Sequence, residues 1–350
     1  MGKIVGIGII GLGGISKKHI KELCSIEECR ITAVCDIDEK KLNAVGEELK
    51  IPTENRFTDY RELISCTDVD AVEICTPNHL HVQMAIEAVE AGKPINVEKP
   101  LSVDYGDALL LGKKLLEKPV DNMMCFSYRF MPAVRYAKRM MENGEIGKVL
   151  NIQVEYLKSS AFMKGRRLEW RFIKKYAGTG VLGDLGVHLV DMASFLFGDI
   201  KAISAAKGIV VKQRKLIDSE ETGEVETDDW CSFMAEIGDG INGNFFITRC
   251  ALGHVNTIKF DVFGEKGMIS FNLNTPEVIY VNKDVENCDK GSLECITVPD
   301  EFKIMQEQMF VDMVNKKECQ YLPTVVDGIK MQKVIDAILE SSEKHAWVEL

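Results

Sequence analysis

From residue 3 to residue 126, short apolar runs alternate with stretches whose apolar positions recur at helical spacing. Residues 3–10 form a β-rich run, short enough for a strand buried on both faces. A helical pattern follows, with Ile15, His19, Ile20 and Leu23 on one face. The spacing then predicts a strand at 30–35, helices at 40–49 and 60–65, and a strand at 69–75. After a turn at 76–78 come a helix at 79–91 closed by Gly92, a strand at 95–97, a helix at 103–116 and a further strand at 121–126. Strands separated by helices over short joins predict a doubly wound parallel α/β sheet. Ligands of such sheets lie beyond the C-terminal ends of the strands. That rule puts the segments after the runs at 3–10, 69–75 and 95–97 on one rim.

Beyond residue 126 the pattern changes. A helix is expected at 132–143, ended by Gly144, then a long alternating strand at 148–158 and a helix at 184–197. Strand-like runs follow at 202–211, 229–237, 243–250, 258–263, 268–271 and 278–281, with Gly238–Asp239–Gly240 and Asn242–Gly243 as hairpin turns. Helices at 302–316 and 326–343 close the chain. The expectation is a doubly wound domain at 1–125 and an α+β domain at 126–350, the latter built on a large, mostly antiparallel open sheet. The acidic stretch 218–228 reads as a solvated or disordered loop. Internal repeats and low-complexity linkers are absent from the sequence.

Composition narrows the class. A chain of 350 residues suits two domains, and 46% hydrophobic with 28% charged residues supplies both a core and a polar surface. A net charge of −11 argues against nucleic acid or an anionic membrane as partner. No apolar run is expected to reach the ~20 residues a membrane helix needs. The apolar N-terminus leads into Gly-Leu-Gly-Gly and a basic helix rather than a cleavage site. Gly6 stands where a myristoylation signal wants serine or threonine. Eleven scattered cysteines without a Cys-x-x-Cys pair read as reduced thiols in a cytoplasmic protein.

Candidate chemistry begins at Gly11–Leu12–Gly13–Gly14–Ile15–Ser16, placed between a strand and a helix, with Asp36 ending the next strand. This is a dinucleotide fingerprint in context, and it makes the first domain a Rossmann-type unit. Gly11 permits the tight turn, Gly13 lets a pyrophosphate approach the backbone, and the helix start at Gly14 and Ile15 faces the phosphates. Ser16 replaces the third small residue, a change expected to loosen packing slightly. Asp36 accepts from ribose hydroxyls and repels a 2′-phosphate, so NAD is expected over NADP, with Lys40 and Lys41 nearby. Lys99, after a buried strand, is either a group that stabilises negative charge on a substrate oxygen or an ordinary lysine before proline. Asp184 and His188 lie one helical turn apart with Asp191 behind them. They form either a carboxylate–imidazole pair for proton transfer or a surface or capping pair. The same three residues at i, i+4 and i+7 make a poor zinc set, and no metal is expected.

Together these pieces resemble the glucose–fructose oxidoreductase / inositol dehydrogenase / MocA family over essentially the whole chain. The resemblance is carried by Gly11–Ser16 with His19, by Thr76–Pro–Asn–His–Leu–His81, by Ala91–Gly–Lys–Pro–Ile–Asn–Val–Glu–Lys–Pro–Leu101, and by Gly178–Thr–Gly–Val–Leu–Gly–Asp–Leu–Gly–Val–His188 with Asp191. Pro94 stands where the family often has histidine. The resemblance implies Lys99, Asp184 and His188 as catalytic residues. It also implies Thr76, Pro77, Asn78, His81, Glu98, Lys99, Trp170 and Arg171 beside the cofactor. It implies an NAD-dependent dehydrogenase acting on a secondary alcohol of a sugar or cyclitol, read by Lys99, Tyr128, Arg129, Asp184 and His188. A homodimer or homotetramer formed through the C-terminal sheet is implied too. Rival readings are a reductase of an aldose, imine or dihydrodiol, metal-assisted catalysis, and a non-catalytic NAD-sensing regulator.

Overall fold

The computed structural model describes residues 4–283, 285–286 and 291–350. Lys3, expected to open the first strand, lies outside the described residues, as do Met1, Gly2 and Cys288. The chain divides into two compact units, Met1–Phe126 with Met305–Gln332, and Ser127–Ile304 with Lys333–Leu350.

The first unit is a six-stranded parallel sheet: β1 (Val5–Ile10), β2 (Cys29–Cys35), β3 (Arg56–Phe57), β4 (Ala71–Ile74), β5 (Ile95–Val97) and β6 (Asn122–Met124), in the order β3-β2-β1-β4-β5-β6. Five of the six lie where the pattern predicts a strand; β3, at two residues, is too short to show a period. Every residue of β1 is buried, as an all-apolar central strand requires, each large aliphatic contributing about 1.5–3 kcal/mol. Helices α1 (Ser16–Leu23), α2 (Glu39–Glu48), α3 (Tyr60–Ser65), α4 (His81–Glu90) and α5 (Tyr105–Glu117) fill the crossovers. Asp38, Asp59 and Asp104 cap α2, α3 and α5 by accepting backbone N–H bonds in the first turn.

The second unit holds α6 (Pro132–Glu142), β7 (Val149–Leu157), the short α7 (Lys174–Ala177), α8 (Val187–Phe197) and β8 (Ile200–Gly208). It continues through β9 (Gln213–Lys215), β10 (Thr222–Glu224), β11 (Trp230–Ile237), β12 (Ile241–Thr248), β13 (Thr257–Gly264), β14 (Gly267–Asn272), β15 (Val278–Asn282) and β16 (Glu294–Thr297). Near the C-terminus are α9 (Gln306–Val314), α10 (Val325–Lys344) and β17 (Val348–Glu349). The large sheet has nine strands, β16-β15-β14-β13-β7-β12-β11-β8-β17. Its pairs are antiparallel except β12 with β7. Inward positions stack Phe233 on Phe245 and Phe260 on Phe271. The opposite face carries Met234, Phe246, Phe263 and Tyr280 among polar side chains, some uncharged such as Ser232, Asn244 and Gln153 and some charged such as Glu155, Lys259 and Asp261.

Four expectations need correction. Residues 305–332 do not belong with the second unit: α9 packs on α1, and the Met124 amide donates to Pro323 O at 2.9 Å. Asn242 and Gly243 are paired within β12, because Gly238 and Gly240, both at positive φ, already turn the chain. The segment 218–228 is not a solvated loop throughout, since β9 and β10 pair there and its end is buried. Among the described residues one helical stretch, Lys174–Phe197 (24 residues), is long and apolar enough to cross a membrane, but 78% of its apolar 18-residue part is buried inside the protein, as a core helix is.

Candidate active site

In the first unit, Gly11 sits at φ +90°, and a Cβ there would lie 2.8 Å from Cys75 O, so only glycine fits the turn. Gly13 and Gly14 have nothing within 4 Å of where a Cβ would be, leaving an open cradle of backbone into α1 through Ile15. Such a cradle at a helix start suits a pyrophosphate. Ser16 does more than replace a small residue: it is buried, and its hydroxyl donates to Gly13 O at 2.8 Å, closing the loop on itself. Asp36 is held by two backbone amides, Leu12 N at 2.8 Å and Asp38 N at 2.9 Å, with Lys41 Nζ 3.6 Å away. Its carboxylate is thereby fixed at the end of β2, where a ribose would be read.

The rim turns after β4 and β5 are braced together. His81, fully buried, spans Thr76 O and Pro100 O at 2.8 Å each. Burial pushes its pKa below the usual histidine range, and the neutral ring, with one N–H, donates to one of these carbonyls while its other nitrogen faces the second. The Lys99–Pro100 peptide is cis. Glu98 accepts the Lys99 backbone N–H on one oxygen and His19 Nε2 on the other, both at 3.0 Å. Burial alone would raise the Glu98 carboxyl, but the His19 hydrogen bond and charge, with Lys99 and His81, hold it below the ordinary range.

In the second unit the expected catalytic helix begins differently. Asp184 lies in a π-helical turn, Leu182–Gly186, and α8 starts only at Val187. At about 4.4 residues per turn, a π turn brings positions four apart more nearly into line than an α turn does, and such turns recur at functional sites. The cause is Asp228, which sequence reading assigned to a solvated loop. It is buried, and its carboxylate accepts Gly180 N at 2.8 Å and Leu182 N at 2.9 Å. A Cβ on Gly180 would lie 1.9 Å from Asp228 O, so the two backbones touch and only glycine is tolerated.

His188 is buried, with its ring against Tyr128 (centroids 4.3 Å apart). Tyr128 Oη lies 2.9 Å from Tyr156 Oη, and Tyr156 donates to Asn256 Oδ1 at 2.9 Å. With the Tyr156 proton committed to Asn256, Tyr128 is the donor in the shared bond. Burial first, then Tyr128, then the charge of Asp184 raise the Tyr156 phenol well above its normal range. Arg129, expected to read substrate, is instead consumed by a buried ion pair with Asp191, Nε to both carboxylate oxygens at 2.9 Å and Nη2 to Oδ1 at 2.5 Å. That pair fixes the 3₁₀ turn Ser127–Phe130 on α8 and commits Asp191 to a guanidinium. Trp170 and Arg171 lie on a 3₁₀ turn, the guanidinium 4.4 Å over the indole.

Sequence reading missed Tyr156, Asn256 and Asp228. Tyr156 occupies an inward position of β7 like its aliphatic neighbours, and only its terminal oxygen distinguishes it.

Residues 5–123 match the profile of the oxidoreductase family, NAD-binding Rossmann fold, and 134–270 match the GFO/IDH/MocA C-terminal domain. A levoglucosan dehydrogenase of Pseudarthrobacter phenanthrenivorans is 30% identical, over 99% of this chain and 98% of its own. A myo-inositol 2-dehydrogenase of Thermotoga maritima is 29% identical, over 82% of this chain and 80% of its own. A solved levoglucosan dehydrogenase in complex with NADH and L-sorbose superposes with a TM-score of 0.91 at 28% identity, covering 99% of both chains. With the nucleotide loop, the Glu98–Lys99–Pro100 turn and the Asp184–His188 segment all in place, the chain belongs to the Gfo/Idh/MocA family of NAD-binding oxidoreductases.

Proposed function

We propose that this dehydrogenase oxidises a secondary alcohol of a sugar, anhydrosugar or cyclitol, reversibly, with NAD rather than NADP. The observation that carries the polyol reading is the row of hydrogen-bonding groups beside His188. The hydroxyls of Tyr128 and Tyr156 and the amide of Asn256 run in one chain, with Tyr128 against the imidazole. Tyr128 Oη donates inward, so its lone pairs are left to accept from a substrate hydroxyl. The relatives' names agree: levoglucosan, myo-inositol, scyllo-inositol and D-apiose dehydrogenases are polyol enzymes.

The nicotinamide, when bound, accepts the hydride; the protein's part is to bind, orient and move the proton. His188 takes the proton of the reacting hydroxyl, Asp184 orients that imidazole or holds a neighbouring hydroxyl, and Lys99 stabilises the charge developing on the substrate oxygen. Asp36, anchored by two amides, favours a ribose diol and repels a 2′-phosphate. We further propose a homo-oligomer assembled on the outer face of the nine-stranded sheet, where Met234, Phe246, Phe263 and Tyr280 stand exposed. The chain's ten free cysteines among the described residues, five of them buried, fit a reducing cytoplasm.

The test is NAD⁺ reduction, followed as NADH absorbance, over levoglucosan, myo-inositol, scyllo-inositol, D-apiose and glucose 6-phosphate. At least one is turned over. His188→Ala then lowers kcat by about 10²-fold with NAD⁺ affinity kept. Normal turnover by that variant would refute the role given to His188.

A further inference from the structure

One buried cluster in the first unit is not used by the mechanism above. His19, on α1, places Nδ1 2.5 Å from Glu73 Oε1 and 2.8 Å from Glu307 Oε1, and Nε2 3.0 Å from Glu98 Oε1. Glu73 interrupts the buried apolar strand β4, Glu307 lies on α9, and neither has any exposed surface. Asn96 donates to Glu73 at 3.2 Å, and Gln306 donates to Glu307 at 2.8 Å. The second oxygen of each glutamate finds no hydrogen-bond partner among the described residues. Three carboxylates around one imidazole, with the Cys125 thiol within 4.8 Å of the His19 and Glu73 ligand atoms, are an expensive set to bury without a purpose.

We infer that His19 and Glu98 are positioning residues for Lys99: the imidazole, anchored on Glu73 and Glu307, grips the Glu98 carboxylate, whose other oxygen holds the Lys99 backbone. This rests on the role proposed for Lys99. The geometry is continuous. Glu98 fixes the amide of the lysine itself, His19 fixes Glu98, and two glutamates from separate elements fix His19. His19 also lies one turn into the helix whose first residue, Ser16, ties down the nucleotide loop at Gly13. The cofactor cradle and the lysine turn therefore share one hydrogen bond, His19 to Glu98. Two carboxylates on one ring nitrogen cannot both stay ionised out of water. Burial and the charge of Glu307 push Glu73 up to about 7, so it is protonated in acid and only partly ionised at neutrality. Burial disfavours the His19 imidazolium. Cys75 is itself held as a neutral thiol by burial, so it is the carboxylates that raise His19 well above its usual range.

A metal reading fits less well. His19, Glu73 and Cys125 offer ligand atoms within 4.8 Å of one another. Nitrogen and oxygen ligands around a tetrahedral ion, however, stand about 3.3 Å apart. The imidazole–carboxylate separations of 2.5 and 2.8 Å are those of hydrogen bonds.

A double-mutant cycle tests the inference, using NAD⁺ and whichever polyol of the panel is turned over fastest. Glu98→Gln lowers kcat by about tenfold or more while the NAD⁺ Kd moves little, as a displaced catalytic group does. In a Lys99→Ala background the same substitution has no further effect on kcat, because it acts through the lysine. An unchanged kcat for Glu98→Gln, or the same loss in both backgrounds, overturns the inference. Should Glu98→Gln not fold, His19→Asn in the same cycle reads the same bond. Lys99→Ala with normal turnover would strike down the proposed role of the lysine instead. One equivalent of tightly bound metal, lost on Cys125→Ser, would overturn the hydrogen-bonded reading of the anchor.

Discussion

Asp228→Ala is the perturbation whose consequences follow most directly from the coordinates. It removes the acceptor of two buried amides, Gly180 N and Leu182 N, at the turn that carries Asp184. Each buried donor left unsatisfied costs about 1–3 kcal/mol, so the loss is about 2–6 kcal/mol, a large share of a typical folding free energy. Asp228→Asn keeps one acceptor oxygen and costs about half as much. All three tryptophans, Trp170, Trp230 and Trp347, lie in the second unit, so urea unfolding followed by their fluorescence reports on that unit. Activity gives a second reading: with the turn loosened, kcat falls while NAD⁺ affinity, a property of the first unit, is kept. Both variants unfolding within 0.5 kcal/mol of the parent, as ordinary surface changes do, would show that the Asp228 carboxylate is not what holds the turn.

Other outcomes follow from other contacts. Asp36→Ser removes the charge that opposes a 2′-phosphate beside Lys41, so the NADP⁺/NAD⁺ ratio of kcat/KM rises by about tenfold or more; an unchanged ratio would refute the reading of Asp36. Glu73 has a folded pKa raised from 4.5 to about 7, so its contribution to stability is complete below pH 4.5 and lost as pH rises through 7. Hydrogen exchange at the β4 amides therefore shows the parent losing stability relative to Glu73→Gln as pH rises from 4.5 through 7, and equal slopes in the two proteins would refute it. Phe246→Arg on the outer sheet face lowers the oligomeric state measured by sedimentation; an unchanged mass would place the interface elsewhere.

Most of the first unit was legible because its longer strands are mainly apolar and its nucleotide turn carries glycine and aspartate in places with one physical meaning. Gly11 and Asp36 belong to this class, whereas the caps Asp38, Asp59 and Asp104 became visible only in the fold. The π turn was not legible, because its cause lies 44 residues downstream of Asp184 in an aspartate that looks like its solvated neighbours. Arg129 was misread for a similar reason. A guanidinium next to a site residue invites a substrate role, and only the fold reveals that Asp191 has claimed it. Glu73 and Glu307 gave a signal that passed unnoticed, an acid inside an apolar run or on a buried helix face, which sequence alone assigns no partner.

The nucleotide-binding half is completed by a stretch of chain made long after its six strands. Glu307 anchors His19, Pro323 O receives the Met124 amide, and Val325 N donates to Asn122 Oδ1. On the ribosome, β1 to β6 emerge early and then wait through the synthesis of some 180 further residues before these partners arrive, so this half cannot finish folding first, as N-terminal domains commonly do. A fragment cut after Phe126 would leave His19 without one of its glutamates and the β6 edge bare, a poor candidate for a free-standing cofactor-binding module.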